Sequence, residues 1–247
     1  MRENFKFLLI QIRDEAQTKR EEVMSFANYG RIDKSQIDIL NVFDTPVFDK
    51  NVADKYDGIF IGGSSVVHIT EDAHHPFLKS MTDLVQHLIA INKPIFASCF
   101  GFQFIVYATK SKTKKMLKNE DNFELGTLDI YTCDSASKDN IFKHLPKVFK
   151  AVVGHKVEVH KLPKDFTILA KTARCVHAYK INNKNIWATQ FHPELNPETF
   201  KLRLGACKDD YTDDLEHFNE LMSQAGETPE ANNLIGYFVD NLQSINL

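Results

Sequence analysis

A short apolar run that meets a cysteine constrains the fold of this chain more than any other feature. The run from Lys93 to Gln103 reads KPIFASCFGFQ, and it predicts a buried strand over Pro94–Ala97 and a helix over Phe102–Ala108, joined by a sharp turn. Such a unit projects the side chain of Cys99 out of the sheet and aims the N-terminal N–H groups of the helix at it. That positive end favours a thiolate and can stabilise an oxyanion. The alternative is that Cys99 is an ordinary buried core cysteine, as most lone cysteines are.

A second stretch supplies a candidate base for that cysteine. Residues 187–194 read WATQFHPE, which predicts a strand that ends in a histidine and a glutamate two residues apart. The two-residue period of extended backbone puts His192 and Glu194 on the same side of the chain. A carboxylate placed there can hold the tautomer of the imidazole while the other ring nitrogen faces a thiol.

Together the two stretches resemble the class I (triad) glutamine amidotransferases. That family carries a G-x-C-x-G-x-Q elbow and a Q-F-H-P-E strand end. Here the elbow stands as Ala97–Gln103, with alanine in place of the first glycine, and the strand end stands as Gln190–Glu194. The resemblance implies a catalytic triad of Cys99, His192 and Glu194.

The order of apolar and amphipathic segments predicts an α/β fold. Strands that alternate with helices indicate a parallel sheet with helices on both faces, and the resemblance implies a flavodoxin-like, mostly parallel sheet with a small antiparallel sheet beside it. The predicted strands, besides the two already named, are Phe5–Ile12, Ile37–Phe43, Asp57–Ile61, Phe123–Tyr131 and further strands within Thr167–Ile181. The predicted helices, besides the elbow helix, are Glu15–Tyr29 with Asp14 as its N-cap, His75–Ile91, Asp214–Ala225 and Asn232–Leu242.

At 247 residues, the chain is expected to form one domain. The resemblance covers nearly all of it, with a core that holds the triad at about residues 1–196 and a helical extension at about residues 197–247.

The resemblance also implies roles for residues around the triad. Gly63 and Phe100 would donate their backbone N–H groups to the oxyanion, whereas Gly62, Gln103 and His155 would contact the substrate. The alternative for the glycine pair is an ordinary tight turn that uses the conformational freedom of glycine. Because ligands bind at the carboxyl ends of parallel strands, we expect the glycine pair and Cys99 to share one site.

Composition excludes several other classes of function. A net charge of −3 leaves no electrostatic footprint for nucleic acid or for an anionic membrane. The four cysteines show no paired metal-ligand spacing, and the histidine spacings give no reason to expect a metal site. The N-terminal residues are neither a signal peptide nor a membrane anchor, so we expect a cytoplasmic protein without metal or cofactor.

The resemblance is to the stand-alone, GMP-synthase-like members of the family, and the predicted activity is glutamine hydrolysis through a cysteine thioester. The ammonia would pass to an unknown acceptor, for which a synthase subunit is one possibility. Two alternatives stay open at this point. The same triad could hydrolyse γ-glutamyl peptides, which needs no acceptor, or the chain could be a catalytically idle regulatory or binding subunit.

Overall fold

The strands of this chain form one large mixed sheet and one small antiparallel sheet. The computed structural model describes residues 2–69, 74–109, 115–118, 124–206, 215–223 and 225–245. In chain order the strands are β1 (Phe7–Gln11), β2 (Ile37–Asn41), β3 (Gly58–Ile61), β4 (Ile95–Ser98), β5 (Lys115–Lys118), β6 (Glu124–Thr132), β7 (Val148–His155), β8 (Val157–Lys161), β9 (Phe166–Lys171), β10 (Val176–Ile181) and β11 (Ile186–Thr189). The helices are α1 (Ala16–Gly30), α2 (Leu78–Ala90), α3 (Phe100–Ala108), α4 (Pro197–Ala206), α5 (Leu215–Ser223) and α6 (Pro229–Ile245).

The parallel half of the large sheet carries the predicted site. The sheet has the order β2-β1-β3-β4-β11-β10-β9-β6-β7, and the first five of these strands pair in parallel. Strand β4, which precedes Cys99, lies between β3 and β11. The carboxyl ends of these three central strands therefore bring the glycine pair, the elbow and the histidine strand end to one edge.

The antiparallel half continues the same sheet beyond β11. Strands β10, β9, β6 and β7 pair antiparallel in that order, and β5 pairs with β8 to form the small second sheet. The structure thus confirms the predicted α/β class, with the sheet divided between a parallel and an antiparallel half.

Successive side chains of the parallel strands pack alternately into two hydrophobic cores, one on each face of the sheet. Leu8 and Ile10 pack with α2 and α3 on one face of the sheet, and Phe7 and Leu9 pack with α1 and α6 on the other. Because period-two geometry sends successive side chains to opposite faces, strands buried on both faces read as continuous apolar runs. The C-terminal helix α6 closes the second face with residues such as Phe238, as its apolar spacing predicts.

Two predictions about local structure were wrong or incomplete. The N-cap of α1 is Glu15 and not Asp14, because the Glu15 carboxylate accepts hydrogen bonds from the N–H groups of Gln17 and Thr18. Helix α4 was not predicted, although it opens with proline at its first position, where the missing N–H costs nothing. Phe123 and Asp214, which begin two predicted elements, lie outside the described residues. None of the described helices is long and apolar enough to cross a membrane.

Candidate active site

Cys99 occupies a strained turn between β4 and α3. Its backbone has φ 47° and ψ −100°, a conformation that costs a non-glycine residue of order 1–3 kcal/mol. Three hydrogen bonds hold it there: its N–H donates to Thr189 O at 2.8 Å, its carbonyl accepts from Gln103 N at 3.1 Å, and Gly101 N–H donates to Gly62 O at 3.2 Å. The elbow predicted from the sequence is therefore present, and its helix begins directly at Phe100.

β3 and α3 approach each other so closely that position 101 requires a glycine. A Cβ on Gly101 would lie 2.7 Å from the carbonyl oxygen of Ile61, a distance that real Cβ atoms essentially never show. Ala97, which replaces the family glycine two residues before Cys99, is fully buried in β4 between Ile61 and Ala188 without any break in pairing. The added methyl is thus accommodated by the sheet.

The structure brings His192 and Glu194 together beside the elbow. Glu194 Oε1 lies 2.8 Å from His192 Nδ1. Cys99 lies close enough to His192 to raise the pKa of its imidazole, and its thiol donates to Gly154 O at 3.6 Å. The backbone N–H of His192 donates to Val152 O at 2.8 Å, which ties the strand end to β7. The three residues follow one another in the order thiol, imidazole, carboxylate, which is the arrangement that a Cys-His-Glu triad needs.

Charge stabilises the protonated form of this imidazole. Burial alone would lower the pKa of His192, but the Glu194 carboxylate and Cys99 raise it to about 9. Burial would likewise raise the pKa of Glu194, but His192 and the cation Arg203 lower it to about 2. At neutral pH the site therefore holds an imidazolium beside an ionised Glu194.

Arg203 is a part of this site that sequence reasoning missed. Its Nη1 donates to Glu194 Oε1 at 3.0 Å, and its Nε donates to Glu21 Oε2 at 2.6 Å. A second buried pair, Arg13 Nε to Glu22 Oε1 at 3.0 Å, lies next to it. The buried carboxylate of the triad is thus compensated by an arginine from α4, which ties it to α1.

Gly63 lies close to both His192 and Cys99. A Cβ on Gly63 would lie 2.8 Å from His192 Cε1 and 3.5 Å from Cys99 Cβ. Phe100, as the first residue of α3, presents an N–H from a helix N-terminus that has no intrahelical acceptor. Both backbone groups therefore lie next to the thiol, and their role as oxyanion donors stays a prediction.

Gly62 has a different environment from its neighbour. Its N–H donates to Ile10 O and its carbonyl accepts from Gly101, so both of its peptide groups are already engaged. A Cβ on Gly62 would lie 2.6 Å from a carboxylate oxygen of Glu22, which explains why a glycine stands here. The predicted substrate contact of Gly62 stays a prediction, and the structure shows instead a packing requirement.

A small pocket opens onto the thiol and is lined by the other two predicted substrate residues. Gln103 and His155 line it together with Cys99 and Gly154. The amide nitrogen of Gln103 donates to Val157 O at 3.0 Å, which leaves its carbonyl oxygen as the acceptor for a ligand. A neighbouring cavity is lined by His192 together with polar and apolar side chains, but Cys99 lines only the smaller of these two pockets.

His155 also belongs to a buried cluster that the sequence did not predict. One carboxylate oxygen of Glu124 lies 3.1 Å from His155 Nε2, 2.8 Å from His177 Nε2 and 3.5 Å from Cys175 Sγ. The spacing of these residues in the sequence did not indicate the cluster, because the antiparallel sheet juxtaposes side chains that are distant in sequence. The expectation of no metal site stays a prediction.

Comparison with known proteins identifies the family of this chain. The sequence model of the family "Glutamine amidotransferase class-I" matches residues 27–206. One component of the glutamine-hydrolysing GMP synthase of Picrophilus torridus is 27% identical over 149 residues, which cover 60% of this chain and 72% of that protein. The GMP synthase of Thermosipho melanesiensis is 31% identical over 144 residues, or 58% of this chain, but the match spans only 25% of that longer protein.

Two solved structures are similar over almost the whole chain. A glutamine amidotransferase from Thermotoga maritima superposes with a TM-score of 0.72 at 18% identity, covering 98% of this chain and 97% of that one. A glutamine amidotransferase from Methylobacillus flagellatus superposes with a TM-score of 0.70 at 11% identity, covering 97% and 94%. At such low identities the likeness shows the fold alone.

Proposed function

Since this chain belongs to the class I glutamine amidotransferase family, whose model matches residues 27–206, we propose that it cleaves the side-chain amide of glutamine at Cys99. The observation that carries the proposal is the proximity of Cys99, on its strained elbow, to the buried and hydrogen-bonded His192–Glu194 pair. Two backbone N–H groups and a small pocket complete the requirements for attack on an amide.

The proposed reaction uses Cys99 as the nucleophile and His192 as the group that transfers protons. The Cys99 thiolate attacks the side-chain carbonyl carbon of glutamine, and the N–H groups of Gly63 and Phe100 hold the oxyanion. Loss of one such donor costs roughly 3–4 kcal/mol in related chemistry. The His192 imidazolium gives its proton to the leaving nitrogen, the C–N bond breaks, and ammonia leaves behind a γ-glutamyl thioester.

Water completes the cycle with the same groups in reversed roles. Neutral His192 takes a proton from the water that attacks the thioester, the C–S bond breaks, and glutamate leaves while the thiolate–imidazolium pair is restored. Glu194 stabilises the imidazolium throughout, and Arg203 keeps Glu194 ionised and oriented.

We further propose that the ammonia passes to a separate acceptor protein. The relatives in Picrophilus torridus and Methanothermobacter thermautotrophicus are each named as one subunit of a glutamine-hydrolysing GMP synthase, and this chain covers 72% and 73% of them. These names support the proposal that a partner protein consumes the ammonia.

Covalent labelling tests the proposal without requiring that partner. The purified protein is treated with a diazoketone analogue of glutamine, and the adduct is mapped by mass spectrometry. We expect one adduct at Cys99, lost in Cys99→Ala, slowed in His192→Asn and unchanged in Cys133→Ser, the matched control at a cysteine outside the site.

Two outcomes would count against the proposal. Labelling that is no faster at Cys99 than at Cys133 would show that the pocket does not recognise a glutamyl group. Turnover of γ-glutamyl dipeptides in preference to glutamine would instead assign the same triad to peptide hydrolysis.

A further inference from the structure

The buried cluster of Glu124, His155, Cys175 and His177 has the composition of a metal site. One ligand atom from each of the four side chains can be chosen so that all lie within 4.8 Å of one another. Three of the four residues are buried and Glu124 is nearly so. Imidazole nitrogen, thiolate sulfur and carboxylate oxygen are all donors that bind Zn²⁺ in proteins.

The register of the sheet brings these donors together. Glu124 on β6 and His155 on β7 are directly opposite each other in the antiparallel pair. Cys175 precedes β10 and His177 lies within it, two residues apart, so that extended backbone sends both side chains to the same face. The four donors therefore come from three chain segments that a shared ion would join.

The distances between the donor atoms are close to those of a tetrahedral site. Metal–ligand bonds of about 2.0–2.3 Å place tetrahedral ligand atoms roughly 3.3–3.8 Å apart. Glu124 Oε2 lies 2.8, 3.1 and 3.5 Å from His177 Nε2, His155 Nε2 and Cys175 Sγ, respectively. All the ligand atoms lie within 4.8 Å of one another, so a tetrahedral site would require shifts of at most about 1 Å.

Hydrogen bonding alone satisfies this arrangement poorly. One carboxylate oxygen offers about two lone-pair sites, yet Glu124 Oε2 faces two ring nitrogens and a thiol. With a divalent cation the ionised Glu124 and a Cys175 thiolate balance the charge of the ion, and the buried cluster becomes neutral. Binding would release the Cys175 thiol proton to solvent.

An outer contact already orients the carboxylate for this role. Thr172 Oγ1 donates to Glu124 Oε1 at 2.9 Å, which leaves Oε2 turned toward the other three residues. The same hydroxyl accepts from the backbone N–H of Cys175 at 3.3 Å. Thr172 thus fixes two of the four donors, as the outer partners of metal ligands do.

We propose that Glu124, His155, Cys175 and His177 form a closed, structural zinc site beside the glutamine pocket. The ion would tie β6, β7 and β10 together and would fix His155, which lines the pocket next to Gly154, the carbonyl acceptor of the Cys99 thiol. Four protein ligands leave no open position, so the ion has no part in the chemistry. The proposal does not depend on the proposed function.

Metal content and cobalt spectroscopy test the site directly. The protein is purified without chelator, its zinc is measured by mass spectrometry, and the apo form is titrated with Zn²⁺ against a chromophoric chelator. We expect one equivalent of zinc per chain, and in the Co²⁺ form a thiolate-to-cobalt charge-transfer band with the visible bands of a tetrahedral ion.

Variants assign the ligands. Cys175→Ser should abolish the charge-transfer band and weaken zinc binding by more than the roughly 10- to 100-fold that loss of an outer partner costs, and Thr172→Val should fall within that range. Cys99→Ser and Cys133→Ser are the matched controls and should keep both the zinc and the band. If Cys175→Ser does not fold, His177→Gln, which keeps the thiol, tests the zinc affinity alone and should weaken it by more than Thr172→Val does.

Three results would overturn the proposal. The first is wild-type protein that takes up neither zinc nor cobalt in competition with the chelator. The second is a charge-transfer band that survives in Cys175→Ser, and the third is a band that disappears in Cys99→Ser, because either would place the metal elsewhere.

Discussion

Arg203 Nη1 lies 3.0 Å from Glu194 Oε1, the same oxygen that contacts His192 Nδ1 at 2.8 Å. The Glu194 carboxylate therefore contacts two cations, the His192 imidazolium and the Arg203 guanidinium. Arg203 also donates to Glu21 on α1, so a single buried guanidinium links the triad to two helices that pack behind it. The geometry makes Arg203 a positioning residue for the base.

Removing that guanidinium should destabilise the fold and disturb the base. In Arg203→Gln the carboxylates of Glu21 and Glu194 lose their shared cation, and breaking a buried pair in this way costs about 3–5 kcal/mol. The free energy of unfolding can be measured in urea through the fluorescence of Trp187, the single tryptophan, which is fully buried. The rate of Cys99 labelling, measured as the pH is raised, reports the state of His192 separately from stability.

A matched control lies on the same helix. Lys201 is exposed on α4, and Lys201→Gln removes one positive charge without touching the network, so its stability should stay within about 0.5 kcal/mol of wild type. An Arg203→Gln variant as stable as Lys201→Gln would show that the buried network contributes nothing.

Stability should fall on the alkaline side of neutrality because of His192. The pKa of this residue is raised from 6.5 to about 9, so its stabilising contribution is fully present below about pH 6.5 and is lost as the pH rises through 9. The loss should approach 3 kcal/mol, or about 1.4 kcal/mol per unit of pKa. Urea unfolding at several pH values measures it.

Glu194→Gln provides the comparison for the pH experiment. Without the carboxylate, burial lowers the pKa of His192, and the alkaline decline assigned to this residue should disappear. A variant that declines as steeply as wild type would show that other groups cause the effect.

Local sequence patterns predicted the two strands that carry the candidate site. The strand before Cys99 and the strand before His192 are short apolar runs that end in a marked polar residue, and their carboxyl ends coincide because parallel strands align. Helix α4 was not predictable in the same way. Its apolar residues Phe200, Leu202 and Leu204 alternate as in a strand, although the structure buries Phe200 and Leu204 one turn apart.

The rest depended on register and tertiary packing. Arg203 contacts Glu194 because of the way α4 packs beside the strand end. The spacing of the two residues in the sequence does not predict that contact. Likewise, Glu124 and His155 are opposite each other only in one register of β6 and β7. Side chains joined by long-range pairing carry no short-range signal, which is why the buried cluster was missed.

Replacing Cys99 by glycine should stabilise the protein while abolishing labelling. The backbone at φ 47° strains any residue with a side chain, and glycine adopts such angles freely. Cys99→Gly should therefore be more stable than Cys99→Ala by about 1–3 kcal/mol. Both variants lack the thiol, so the comparison isolates the backbone; equal stabilities would show that the elbow stores no strain.

A methyl group at Gly63 should displace the base without unfolding the domain. In Gly63→Ala the new Cβ would lie 2.8 Å from His192 Cε1 and 3.0 Å from Arg13 Nη2, so the imidazole has to move away from the thiol. Displacement by about 1 Å costs about 100-fold in rate, which we expect for Cys99 labelling, with a stability loss of about 1–3 kcal/mol from overpacking.

Gly205→Ala is the matched control for this substitution, and it separates the effect of a methyl group at the site from that of a methyl group elsewhere. No atom lies within 4 Å of the corresponding Cβ on α4, and alanine is the better helix former by up to about 1 kcal/mol. Gly205→Ala should therefore label at the wild-type rate with equal or higher stability. If Gly63→Ala also labelled at that rate, the close approach of Gly63 to His192 would have no role in placing the base.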